Sequence, residues 1–261
     1  MYRTRTASAD APTITARRIS VCAPRARSPR DRVRMDRMAD RDPSWRCLLV
    51  VALGTRGDVE PILALAQVLR LHFDEILFCT HKAHRRLVDK CADFSFLALQ
   101  SDPLRPDFTS ANAVADEYEP ILYHADGAGV CGVVFNLFAL GAWHIAEMLG
   151  VPCVAASPCI IPYTPPSAFE ERFRAAHPIL HERLRASSSG IGWAEVEHWM
   201  WALWTERWGD WRRERLGLSE APLSACNDDR AVPLPRATPL LYGVSTAVVP
   251  PPAYWPPSVH V

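Results

Sequence analysis

The sequence predicts an α/β protein built on a parallel sheet, and three observations carry that expectation. From Arg46 onward, short β-rich runs alternate with longer helical patterns, the arrangement of a parallel sheet covered by helices. The first run, Cys47 to Leu53 (CLLVVAL), is apolar throughout, as a strand buried on both faces must be. Between it and the next helical pattern stands the turn Gly54-Thr55-Arg56-Gly57-Asp58, far richer in chemistry than a connector needs.

The remaining elements follow in order. A helix, PILALAQVLRLH, is expected to start at Pro61, because proline suits the first helical turn. Glu75 to Thr80 (EILFCT) reads as the second strand, HKAHRRLVDKCA as a helix and Phe94 to Leu99 (FSFLAL) as the third strand, before a polar break, QSDPLRPDFTS. Ala113 to Ala125 reads as a helix with Val114, Ala115, Tyr118, Ile121 and Leu122 on one face. GVVFN is then the fourth strand, LGAWHIAEMLG a helix ended by Gly150, and VPCVAAS the fifth strand. A Pro-rich loop, Ser157 to Pro166, leads to two helical stretches, Phe169 to Arg185 and Ala194 to Leu216, and Pro239 to Ser245 (PLLYGVS) reads as a sixth strand. The proline-dense tail after it reads as a semi-rigid connector.

Composition bounds the rest. With 261 residues, 49% hydrophobic and 22% charged, the chain can bury a sizeable core and is expected to be a soluble globular protein. The formal charge is zero, yet residues 1–45 hold 11 Arg against 5 acidic residues. That arm has no helical or strand period and reads as disordered, with an organelle transit peptide as the alternative. No apolar h-region of a secretory signal stands near the start, and the longest apolar stretch, Cys131 to Ala146, carries Asn136 and His144 and falls short of a bilayer span. Eight cysteines without a C-x-x-C pair argue for a reducing compartment and against a disulfide framework or a zinc knuckle. The expected location is the cytoplasm, with peripheral membrane contact left open.

The Gly54 to Asp58 turn invites a dinucleotide reading, which fails twice. The spacing is G-x-x-G rather than G-x-G-x-x-G, and the second strand ends in Cys79 and Thr80 where an acidic residue should meet a ribose. The loop still lies beyond the carboxyl end of the first strand, where open α/β sheets bind ligands, and Gly54 and Gly57 let the backbone bend and approach one. Asp58 has two readings: a helix N-cap, or a carboxylate presented to a ligand. Arg56 likewise is either solvated and paired with a neighbouring acid or positioned to hold an acid or a diphosphate. His81, at the end of the second strand, and His144, near a helix start, are further candidates whose commoner fate is structural. Trp204, Trp208 and Trp211 fall on one helical stripe with Trp201 beside it, suited either to packing or, with the adjoining RRER, to an interfacial helix.

GTRGDVEPILALAQVLR, followed by FCTH, GAWHIAEMLGVP and PLLYGVSTAVVPPPAYWPPSVHV, resembles the N-terminal domain of sterol and lipid glucosyltransferases and of glycopeptide-antibiotic glycosyltransferases, the family 28 N-terminal domain. The resemblance covers nearly everything from Arg46 to the end. It implies a Rossmann-like, acceptor-binding GT-B domain over residues 46–246 with a helical insertion, an interdomain linker over 247–261, and a donor domain missing from this chain. It further implies that Asp58 is the general base; by their positions, Gly54, Thr55, Arg56, Gly57, His81 and His144 are the candidates to form the loop or border the acceptor, His144 alternatively assisting Asp58. A nucleotide sugar, by resemblance UDP-glucose, would be the co-substrate and a small lipophilic alcohol the acceptor. Neither cofactor, metal nor nucleic acid is expected.

Overall fold

The computed structural model describes residues 46–91, 94–99, 101, 111–160, 164–204 and 208–261. The Arg-rich arm and most of the polar break lie outside the described residues. In chain order the strands are β1 (Cys47–Val51), β2 (Glu75–His81), β3 (Ser95–Leu99), β4 (Val130–Asn136), β5 (Cys153–Ser157), β6 (Leu240–Tyr242) and β7 (Val259–His260). The helices are α1 (Arg56–Leu69), α2 (Arg85–Val88), α3 (Ala111–Ala128), α4 (Gly141–Leu149), α5 (Phe169–Ala176), α6 (Pro178–Ala186), α7 (Trp193–His198), α8 (Gly209–Trp211) and α9 (Ser224–Asp228).

Among the described residues every strand pairing is parallel, and the seven strands lie in the order β3-β2-β1-β4-β5-β6-β7. Strand order therefore reverses between β1 and β4. Alternation along β1 feeds two cores, as the pleat requires. Leu48 and Val50 point to the face covered by α1, where Val59, Ile62, Leu63 and Ala66 recur at helical spacing. Cys47, Leu49 and Val51 point to the other face, against Tyr118, Ile121, Ile145 and the buried rings of the insertion. The sheet is thus the Rossmann-like α/β architecture expected, closed on both sides.

Four differences from the expected elements have physical causes. Helix α1 begins at Arg56, five residues before Pro61, because Thr55 takes an extended conformation (φ −73°, ψ 174°) and serves as N-cap. Pro61 then sits inside the helix, where its missing N–H removes one intrahelical bond. The stretch from Ala194 to Leu216 is not one helix. It breaks into α7, a 3₁₀ turn at Met200–Trp204, α8 and a π turn at Arg212–Leu216, with residues 205–207 outside the described ones.

The Trp stripe is packing. Trp193, Trp199, Trp208 and Trp211 are buried and Trp201 and Trp204 half-buried against the sheet side. Last, the proline-dense tail ends in a strand: Val259 and His260 pair with Leu240 and Leu241 and extend the sheet edge.

Candidate active site

The peptide groups of the turn after β1 are held one by one. Leu53 exchanges two hydrogen bonds with the side-chain amide of Asn136 at the end of β4: its N–H donates to Oδ1 (3.1 Å) and its carbonyl accepts from Nδ2 (2.7 Å). The Gly54 N–H donates to His81 Nε2 (2.9 Å), and the Gly54 carbonyl accepts from His84 Nε2 (3.0 Å). The Thr55 N–H donates to Asp58 Oδ2 (2.8 Å), as does the Thr55 hydroxyl (2.7 Å). Buried backbone polar groups must find partners, and here side chains from β4, β2, the turn after β2 and α1 supply them. Gly54 has φ +107°, a conformation that side chains rarely adopt, and a Cβ built there would lie 2.7 Å from Asp58 Oδ2. The bend of the turn and the place of the carboxylate are therefore one packing problem.

Asp58 occupies the third position of α1, the acidic half of a capping box with Thr55. Both readings of this residue meet in one geometry. Oδ2 caps the turn, whereas among the described residues Oδ1 accepts no hydrogen bond, and the side chain lines a cavity of about 270 Å³. Asn136, Leu137 and Phe138 after β4, and Ser157, Pro158, Cys159 and Ile160 after β5, complete that cavity. It opens at the carboxyl ends of β1, β4 and β5, beside the reversal of strand order, where α/β sheets bind ligands. Its walls are mostly apolar, and among the described residues Asp58 is the one charged group lining it. Such a site suits a lipophilic molecule carrying a group that can meet a carboxylate. A larger cavity, about 620 Å³, lies near the amino ends of β6 and β7 around Arg185, Ser188 and Arg236. It is remote from the strand ends at which this topology places ligands, so size does not decide between the two.

The other expected site residues divide. Gly54 and Thr55 shape the turn, and Gly57 lies in the first turn of α1. Arg56 pairs with Glu60 one turn along α1 (2.8 and 3.0 Å), with its side chain 71% exposed, and does not line the cavity. That hydrogen bond raises the guanidinium's already high pKa. His81 is buried and bonded to the turn rather than presented to the cavity.

His144 is placed elsewhere, a correction to the expectation that it borders the acceptor. It is fully buried among Trp143, Trp208 and Trp211, and its Nδ1 accepts from Arg212 Nη1 at 2.7 Å. Arg212 in turn donates to both Glu147 oxygens and to the carbonyls of Ser219 and Ala221. This is a buried, fully bonded guanidinium that locks the insertion to α4.

Asn136 and His84 were not expected. A lone Asn ending an apolar strand was the available signal for the first. Nothing in HKAHRR distinguishes the second from surface charge. Among the described residues, no group of three or more His, Cys, Asp or Glu could hold a metal ion, no helix is long and apolar enough to cross a membrane, and every cysteine is free.

No protein-family model matches the chain. Among curated proteins, it is 28% identical over 244 residues to sterol 3-beta-glucosyltransferase UGT80B1 of Arabidopsis thaliana, covering 82% of this chain and 37% of the relative. It is 23% identical over 237 residues to the sterol 3-beta-glucosyltransferase of Leptosphaeria maculans, covering 84% of this chain and 15% of the relative. Among solved structures, CalG4, the calicheamicin glycosyltransferase, aligns over 82% of this chain and 50% of its own at 16% identity and TM-score 0.48. The glycotransferase of kitacinnamycin aligns over 84% of this chain and 51% of its own at 16% identity and TM-score 0.47. The chain thus spans little more than a third of the plant relative and less of the fungal one. The chain is thus a Rossmann-like α/β unit that is similar, over most of its described length, to part of the sterol 3-beta-glucosyltransferases.

Proposed function

We propose that this domain binds the acceptor in a glycosyl transfer from a nucleotide sugar to a lipophilic hydroxyl, with Asp58 as the general base. The observation that carries the reading is the Asp58 carboxylate, with one oxygen held by the turn, lining an apolar cavity at the β1/β4 reversal. The likeness to sterol 3-beta-glucosyltransferases supports a sterol-like alcohol as acceptor and glucose, carried by UDP, as the sugar.

The chemistry explains why one carboxylate is enough. An alcohol oxygen attacks poorly until a base within about 3 Å takes its proton. As the acceptor oxygen bonds to the anomeric carbon, its proton passes to Asp58 Oδ1, and the bond to the diphosphate breaks on the opposite face. The sugar centre inverts. The diphosphate departs with the electron pair, so no second carboxyl group is needed to protonate it, in contrast to glycoside hydrolysis. Stabilising that leaving group calls for helix N-termini and cationic or polar side chains, which we assign to a donor-binding domain.

The test is direct. The chain alone should bind a sterol-like alcohol and transfer no sugar from UDP-glucose; supplied with the donor domain of a sterol glucosyltransferase, it should produce the glucoside. Transfer by the isolated chain would contradict the assignment of the donor site to another domain. Alcohol binding with no transfer under either condition would mark a silent binding module.

A further inference from the structure

Behind the turn that carries Asp58 runs a chain of hydrogen bonds that the transfer chemistry above does not use. The Gly54 N–H donates to His81 Nε2 at 2.9 Å. A backbone N–H can only donate, so Nε2 must be the bare, accepting nitrogen and the ring proton must sit on Nδ1. Nδ1 faces Ser101, 2.7 Å from Oγ and 3.1 Å from the carbonyl. The Ser101 hydroxyl donates onward to Glu117 Oε1 on α3 at 2.7 Å. Every donor in the series Gly54, His81, Ser101 points the same way and ends on a carboxylate. Bonds so aligned polarise one another, and the series selects a single tautomer of a buried imidazole.

The neighbouring peptide is held from the far side. His84 Nε2 donates to the Gly54 carbonyl at 3.0 Å, and the N–H of that same peptide unit, on Thr55, donates to Asp58 Oδ2. Pulling on the carbonyl makes the N–H a better donor, so the grip of His84 is felt at the carboxylate.

We propose that His81 is a positioning residue: as the neutral tautomer protonated on Nδ1, fixed by Ser101 and Glu117, it holds the Gly54 peptide and thereby aims the Asp58 carboxylate into the cavity. The assignment rests on the glycosyl-transfer reading for its purpose, and on the geometry of the turn alone for its existence. His81 touches neither acceptor nor sugar; it acts through the backbone. Ser101 and Glu117 set its tautomer, and His84 completes the clamp from the turn after β2.

The experiment is NMR on the 261-residue chain labelled with ¹⁵N and ¹³C. The His81 ring should show an unprotonated Nε2 and a protonated Nδ1, and the Gly54 amide should exchange slowly. His81→Phe, which removes the acceptor, should speed Gly54 exchange at least about 10-fold, as loss of a buried hydrogen bond does. It should also move the ¹³C signal of the Asp58 carboxyl. His81→Gln, whose side-chain oxygen can take the place of Nε2, should restore both.

A proton found on Nε2 overturns the proposal without any variant, as does an Asp58 signal indifferent to His81→Phe in a folded protein. In the transfer assay with a donor domain, His81→Phe should lower kcat about 10-fold or more with acceptor KM within about twofold. Failure of the wild-type protein to transfer sugar would tell against the glycosyl-transfer reading, and the NMR readouts would still decide whether His81 aims the carboxylate.

Discussion

Gly54 is where the backbone and the chemistry of the site are least separable. A methyl group there must enter space 2.7 Å from Asp58 Oδ2 while the residue holds φ +107°. Gly54→Ala should therefore cost about 1–3 kcal/mol of stability, the range for a strained backbone position, and should lower turnover by displacing Asp58. Denaturant unfolding together with the transfer assay checks both, and a variant matching wild type in both would mean that the turn does not constrain the carboxylate. At this scale the sequence was partly legible. Asp58 stood out because an acid in a strand-to-helix turn has few uses, and the structure shows it capping the turn and lining the cavity at once. His81 was visible as a polar residue at a strand end, but its partner is a peptide N–H, and backbone partners leave no trace in spacing. His84 and Asn136 act on backbone too, and only the second betrayed itself, by being polar in an apolar strand.

At the scale of elements, tight contacts between helices carry the sharpest expectations. Gly141 opens α4 beneath the ring of Tyr118, whose hydroxyl accepts from the Gly141 N–H at 3.2 Å; a Cβ at Gly141 would come within 2.4 Å of that ring. Gly141→Ala should destabilise by about 1–3 kcal/mol, the usual cost of overpacking a close contact, and an unchanged unfolding midpoint would show that α3 yields freely. The Arg212 cluster makes a second case. Its guanidinium is fully buried and spends donors on Glu147, His144 and two carbonyls. Arg212→Ala should cost about 3–5 kcal/mol by leaving those acceptors unpaired, and Arg212→Lys should recover little, because an ammonium lacks the planar fork. A loss below about 1 kcal/mol in urea unfolding would contradict the lock, being no more than an exposed pair is worth. Strands were readable because apolar runs bounded by turns have one solution in a parallel sheet. The insertion was not: its tryptophans suggest a single stripe, yet the chain breaks between them so that rings from several turns reach the core. The edge strand β7 is too short to carry a period.

Across the whole molecule, topology alone selects the site, since the reversal of strand order creates the crevice and both connections beside it supply lining residues. Ionisation of Tyr242, at the carboxyl end of β6, reports on how well that end is closed. Burial, then the charge of nearby Cys159, pushes its phenol up to about 12. A folded-state value above the unfolded one means that the folded protein holds this proton more tightly. The stabilisation is full below about pH 10, the unfolded value, and is lost as pH rises toward about 12. Across that window Tyr242→Phe should lose stability less steeply than wild type; identical slopes would show that the phenol is not sequestered.

The central claim is that the Asp58 carboxylate takes the acceptor proton. Its most direct measurement compares Asp58→Asn with wild type in steady-state glucosyl transfer, with the donor domain present and acceptor binding measured separately. The account predicts a fall in kcat of about 100-fold or more, the scale of a lost general base, with acceptor affinity nearly unchanged. Turnover close to wild type would contradict it and leave Asp58 as a helix cap alone.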